Sequence, residues 1–157
     1  PLDELGPEPS DLDPATFAAA LKQSRQSVKI KLLDQSLIAG VGNIYASEAL
    51  FRARISPKLA ANRLTAAQAN NLLIAIRDVL NHAIKFGSTV PLKTMSGKSG
   101  ALFYFDDDGE GYYEKRLRVY DRAGKPCFNK CGAMIEQFTQ GARSTYFCPR
   151  CQRAQRR

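Results

Sequence analysis

The chain has no tryptophan, a single histidine (His82) and no cysteine before residue 127. Each absence removes a class of function. A lone histidine with no second ligand candidate near it cannot anchor an imidazole metal centre, and His82 is expected to be a surface or partly packed side chain. Cysteines confined to one corner do not form the distributed framework of a secreted disulfide scaffold. No apolar run is long enough to span a bilayer, and no basic segment leading into an apolar core opens the chain. The default expectation is therefore a soluble cytoplasmic protein. Few aromatic residues interrupt the basic stretches, which argues against a platform for stacking single-stranded bases.

What is present begins with the cysteines themselves. Cys127, Cys131, Cys148 and Cys151 form a C-x3-C pair and a C-x2-C pair. Thiolates a few residues apart can turn back on one cation, and two such pairs fill the tetrahedron that Zn2+ prefers, leaving no open position for chemistry. One structural zinc is the expectation; iron in a similar thiolate site, two disulfides and four buried free thiols are the alternatives. Between the pairs, Met134–Phe138 and Arg143–Phe147 read as a short β-hairpin turning at Gly141.

The net charge is +8, and it is unevenly placed. Residues 1–13 and 99–114 each carry five acids and no base, whereas residues 14–98 and 115–157 hold all of the lysines and arginines. Two basic blocks suit a polyanion, because each phosphate neutralised releases condensed counterions. Solvated helix faces would give the same composition. The arginine-rich, metal-stapled module tips the reading towards nucleic acid. The acidic Asp106–Gly111 stretch lacks the spacing of a calcium loop and reads as a solvated turn.

Along the chain, residues 1–12 look like an extended linker, with prolines at 1, 7 and 9. Asp13-Pro14 supplies a helix start, with Phe17, Ala20, Leu21 and Ser24 on one face of a helix running to about Gln23. A short helical segment over Val28–Leu33 carries Lys29 and Lys31. Gly40-Val-Gly-Asn43 opens a third helix reaching about Arg54. Thr65-Ala-Ala-Gln68 is a capping box that starts a long amphipathic helix running towards Gly87. Strand-like alternation appears at Leu102–Phe105 and Leu117–Tyr120. At Gly40–Asn43, glycines that let a ligand approach, unpaired N–H groups of the first turn and the Asn43 amide together suit one phosphate, although a tight helix–helix turn would use the same residues.

The runs Leu5–Pro9, Ala39–Glu48 (Ala-Gly-Val-Gly-Asn-Ile-Tyr-Ala-Ser-Glu), Val119-Tyr120 with Gly124–Cys127, and Arg143–Gln152 resemble the C-terminal part of the bacterial formamidopyrimidine-DNA glycosylases, relatives of endonuclease VIII. The resemblance spans nearly the whole chain in order. It implies a mainly α protein with a small β zinc ribbon: a helix-two-turn-helix domain over residues 13–121, then a zinc-finger hairpin over 122–157. Residues 1–12 would be the linker from an N-terminal catalytic domain that this chain does not contain.

The implied function is damaged-DNA binding in base excision repair, within a glycosylase and AP lyase acting on oxidised purines such as formamidopyrimidine and 8-oxoguanine. Lys29 and Asn43 correspond to residues that contact phosphates beside the lesion, and Arg143 to the finger arginine that does the same. Gly42 and Tyr45 of the glycine motif complete the candidate DNA-binding set. The segment from Ser88 to Gly100, with Ser88, Thr89, Lys93 and Lys98, resembles the loop that closes over an extruded base. The family's nucleophile is an N-terminal proline followed by glutamate, and here Pro1 precedes Leu2-Asp3. No catalytic residue is therefore assigned, and the isolated chain is expected to bind double-stranded, damaged or abasic DNA as a monomer without excising bases. The first cysteine pair departs from the family's usual two-residue interval. The competing expectation is a stand-alone zinc module that binds RNA or DNA.

Overall fold

The computed structural model describes residues 5–86 and 117–153. The elements, in order, are α1 (Pro14–Lys22), α2 (Val28–Leu32), α3 (Asn43–Ala53), a single 3-10 turn (Ala61–Arg63), α4 (Ala66–Phe86) and the strands β1 (Glu136–Gln140) and β2 (Arg143–Phe147). The expected strand at Leu102–Phe105 and the loop residues Ser88, Thr89, Lys93 and Lys98 lie outside the described residues. No helix among the described residues is long and apolar enough to cross a membrane.

Three of the helices, α1, α2 and α4, start where a side chain satisfies an orphan donor. The Asp13 carboxylate accepts the Thr16 N–H at 3.1 Å ahead of Pro14. The box at α4 closes reciprocally, with the Gln68 N–H donating to Thr65 Oγ1 (3.0 Å) and the Thr65 N–H to Gln68 Oε1 (2.9 Å). Ala69, Leu72, Leu73, Ile76 and Val79 then line the buried face of α4. That face packs on α1, through Phe17 and Leu21, and on α3, through Ala46, Ala49 and Leu50. Fully burying each of the larger apolar side chains contributes about 1.5–3 kcal/mol.

Between α2 and α3 the chain makes two successive turns over residues 33–42. Asp34 organises the first, taking the Ser36 hydroxyl at 2.6 Å and the Lys31 ammonium at 3.0 Å. The bonds from Ser36 and then Lys31 hold its carboxyl down to about 2. In the second turn Gly40 adopts φ +87°, a left-handed conformation that favours glycine. Residues 5–12 carry no helix or strand, yet they are docked rather than loose. The Gly6 N–H bonds the Gln35 carbonyl (2.7 Å), the Ala39 N–H bonds the Pro7 carbonyl (2.9 Å), and the Arg77 guanidinium holds the Pro9 and Leu12 carbonyls at 2.8 and 2.7 Å.

One expectation changes here. Leu117–Tyr120 is not a strand, because its N–H groups go to a side chain instead of a ladder. Arg118, Val119 and Tyr120 all donate to the Glu48 carboxylate, at distances from 2.8 to 3.1 Å. The cysteine-bearing module also has no core wholly its own. Its apolar cluster of Val119, Ile135, Tyr146, Cys127 and Cys148 closes on Phe51 of α3.

Candidate nucleic-acid interface and metal site

The four sulfurs lie within 4.8 Å of one another. Cys127 and Cys151 are separated by 3.8 Å and Cys131 and Cys148 by 3.5 Å. Tetrahedral zinc with bonds of about 2.3 Å would put its sulfurs about 3.8 Å apart, so the donor set fits that ion. Each knuckle supplies a backbone N–H to sulfur, Asn129 to Cys127 and Cys151 to Cys148, both at 3.4 Å. The extra residue of the first knuckle is absorbed by left-handed turns at Lys130 (φ 58°) and Gly132 (φ 96°). Burial pushes the Cys127 thiol up to about 12, while the Ala133 N–H draws Cys131 down to about 7. A cation displaces those protons and fixes all four groups as thiolates.

The strands pair antiparallel from Glu136 opposite Phe147 to Gln140 opposite Arg143, turning through Gly141 and Ala142. This turn inserts against α2: a Cβ on Gly141 would stand 2.5 Å from Ile30 Cδ1. The finger is fastened at its other end by Gln152, whose buried amide accepts the Cys148 N–H (2.8 Å) and donates to the Ile55 carbonyl beyond α3 (3.0 Å).

This seating brings three of the sequence-predicted residues together. Asn43, at the first position of α3, donates through Nδ2 to the Ser144 carbonyl (2.9 Å), next to the exposed Arg143. Its Oδ1 accepts from the Lys29 ammonium. Lys29 also donates to Thr145 Oγ1 at 2.9 Å. Lys29, which the family resemblance pairs with a phosphate-contacting residue, is fully buried beneath Asn43 and the hairpin. Burial, and then the charge of Arg143, lower its pKa to about 8. Gly42 caps α3 without a side-chain bond, and a Cβ there would meet nothing within 4 Å. The chain itself therefore gives no reason for glycine at this position, whereas Gly40, equally open, is required by its left-handed backbone. Tyr45 faces the other way, into the helical core, with 9% of its surface exposed.

Two important residues escaped the sequence reading. Glu48 is wholly buried; desolvation raises its pKa, opposed by the bonds from Tyr120, Arg118 and Val119 and by the charge of Arg52. Its only local signal is an acid on the apolar side of α3. Thr145 lies 116 positions from its Lys29 partner, and no local pattern marks that pairing.

Residues 5–94 match the model of the formamidopyrimidine-DNA glycosylase H2TH domain, and residues 124–154 the zinc finger found in FPG and IleRS. The formamidopyrimidine-DNA glycosylase of Erythrobacter litoralis is 43% identical over 152 residues, which are 95% of this chain and 52% of that protein. That of Salinispora arenicola is 46% identical over 156 residues, 99% of this chain and 50% of the relative. The chain thus spans about half the length of the relatives it matches. Among solved structures, the MutM (FPG) protein of Thermus thermophilus superposes with a TM-score of 0.80 at 42% identity, covering 99% of this chain and 56% of the other. The Lactococcus lactis Fpg complex with DNA containing an abasic site gives 0.80 at 34% identity, covering 97% and 53%. The finger match and the clustered thiols agree on one structural zinc held by Cys127, Cys131, Cys148 and Cys151.

Proposed function

This chain belongs to the formamidopyrimidine-DNA glycosylase H2TH family, and on that premise we propose that it is a damaged-DNA-binding unit of base excision repair, gripping the backbone of a duplex beside a lesion. The observation that carries the proposal is the meeting of Asn43, at the glycine-opened N-terminus of α3, with the hairpin that presents Arg143. Two donors of different domains then address one anion: the second Nδ2 hydrogen of Asn43 and the Arg143 guanidinium. The N-terminus of α3 favours an anion at the same place, and the bare Gly42 lets a sugar-phosphate strand come close. Lys29 acts from behind as a fixed cation that orients Asn43. Tyr45 supports the helix from the core side.

In this reading α2, the two turns and α3 form the helix-two-turn-helix of the family, and the zinc hairpin is the opposing jaw. Holding phosphates firmly is what nucleotide extrusion requires, since flipping a base costs a few kcal/mol of stacking and pairing. The substrate class is an oxidised purine or abasic site in duplex DNA, which goes with a cytoplasmic, nucleoid-associated setting. The four cysteines leave zinc no open coordination position, so the metal's part is to hold the hairpin in place. Among the described residues the ammonium paired with a carboxylate, Lys31 with Asp34, organises the turn before α3. We expect the chain to bind such DNA without excising the base. Residues 88–100 would be the segment closing over the extruded base.

The test is binding of this chain to a duplex carrying an abasic-site analogue, in competition with intact duplex and structured RNA. Asn43→Ala and Arg143→Ala should each weaken the abasic complex by about 1–3 kcal/mol, and Arg143→Ala should also reduce the salt dependence by about one counterion. Unchanged affinity in both variants would sink the grip, and preference for the RNA would favour a stand-alone RNA-binding module.

A further inference from the structure

Behind Asn43 runs a one-way chain of hydrogen bonds that crosses between the helical domain and the finger. An ammonium can only donate, so Thr145 Oγ1 must accept from Lys29, at 2.9 Å. The hydroxyl proton of Thr145 then goes to Gln140 Oε1, also at 2.9 Å. The Gln140 amide cannot flip, because its Nε2 donates to the Pro57 carbonyl (3.0 Å) and to Ser27 Oγ (2.8 Å), the hydroxyl that also caps α2. At the far end, Asn43 takes the Lys29 proton on Oδ1, which leaves Nδ2 to serve Ser144 and the solvent side. Lys29 and Thr145 are both fully buried, so a member left without its partner is kept away from bulk solvent.

We propose that Thr145 and Gln140 are positioning residues of the phosphate grip: they orient the Lys29 ammonium and, through it, turn the amide donor of Asn43 outward. The inference rests on the DNA-binding reading above and extends it to two residues that touch no ligand. Removing Thr145 Oγ1 leaves the buried ammonium one acceptor short. It then loses its proton more readily, and Asn43 loses its fixed orientation. Arg143 on β2 is the charged neighbour that acts on Lys29; Lys31 on the same helix is engaged with Asp34, and Asn43 on α3 is neutral.

The experiment compares Thr145→Val, Thr145→Ser and Gln140→Leu in the full chain. It measures affinity for the abasic-analogue duplex across pH, and the titration of Lys29 in the free protein by 13C NMR at Cε. Hydrogen bonding stabilises the charged lysine, so losing it lowers the pKa. The native chain, with Lys29 at about 8, should bind progressively less well as pH rises through that value. Thr145→Val should bind about tenfold more weakly at neutral pH and titrate Lys29 at lower pH, whereas Thr145→Ser should restore both. Gln140→Leu, which spares the buried β2 face, should shift Lys29 in the same direction by less, so the question stays decidable if the valine variant folds poorly. An unshifted Lys29 titration in Thr145→Val and Gln140→Leu overturns the proposal, as does failure of Thr145→Ser to rescue. If Asn43→Ala and Arg143→Ala leave binding intact while Lys29 still shifts, it is the DNA reading that fails.

Discussion

The helical domain and the zinc hairpin solve the problem of stability in opposite ways. The first is built by burial: α1, α3 and α4 enclose Phe17, Leu21, Leu50, Leu72, Leu73 and Ile76 with almost no exposed surface. The second has two five-residue strands and a small apolar cluster that borrows Phe51. A two-stranded ribbon of that size is marginal in water without further support. The metal supplies the missing stability, and the helical domain supplies part of the packing. A small module can thus present Arg143 rigidly without a core of its own, provided its ligands and its neighbour are intact.

Metal removal should break the comparison most severely. Chelation is expected to unfold residues 122–153 while α1 and α4 survive, since the structural zinc contributes on the order of 10 kcal/mol to such modules. Hydrogen exchange with and without chelator reads this directly: protection lost in the strands and kept in α4 is the expected pattern, and uniform loss would mean that the two regions form one cooperative unit. Because Phe51 and Ile55 lie at the joint, the last turn of α3 should loosen along with the finger.

Glu48→Ala comes next. It strips three buried or half-buried N–H groups of their acceptor and should cost about 3–5 kcal/mol. Denaturant melts should show the loss, together with faster exchange at residues 118–120; a change below about 1 kcal/mol would mean that water replaces the carboxylate. The smallest effect belongs to the helical side. Thr65→Ala removes one half of the α4 box and should lower stability by about 1 kcal/mol, with the finger's metal affinity unchanged.

The same division decides what could be read from sequence. Asp13-Pro14, the Thr65–Gln68 box and the glycine-opened start of α3 are local signals, and each helix begins where its cap placed it. The thiol cluster was equally legible, because ligand spacing constrains a metal site within a few residues. What could not be read are partnerships across the chain. Leu117–Tyr120 alternates like a strand, but the Val119 N–H and its neighbours answer to an acid 71 positions earlier. Lys29 has the composition of a surface phosphate ligand, and only the arrival of Thr145 over it makes it a buried cation. Charge patterns report that a basic residue exists, not which side of a neighbouring asparagine it occupies.

The tip of the hairpin sets a tolerance for the whole arrangement. Gly141 combines φ +58° with a position where one added carbon would strike Ile30. The hairpin therefore sits like a tenon cut flush to its mortise. A side chain at this position would have to take up the left-handed backbone and push the flexible end of Ile30 aside, loosening the seat of the strand that carries Arg143 two residues on. A residue that meets neither thiolate nor nucleotide thus still bears on how the finger is seated.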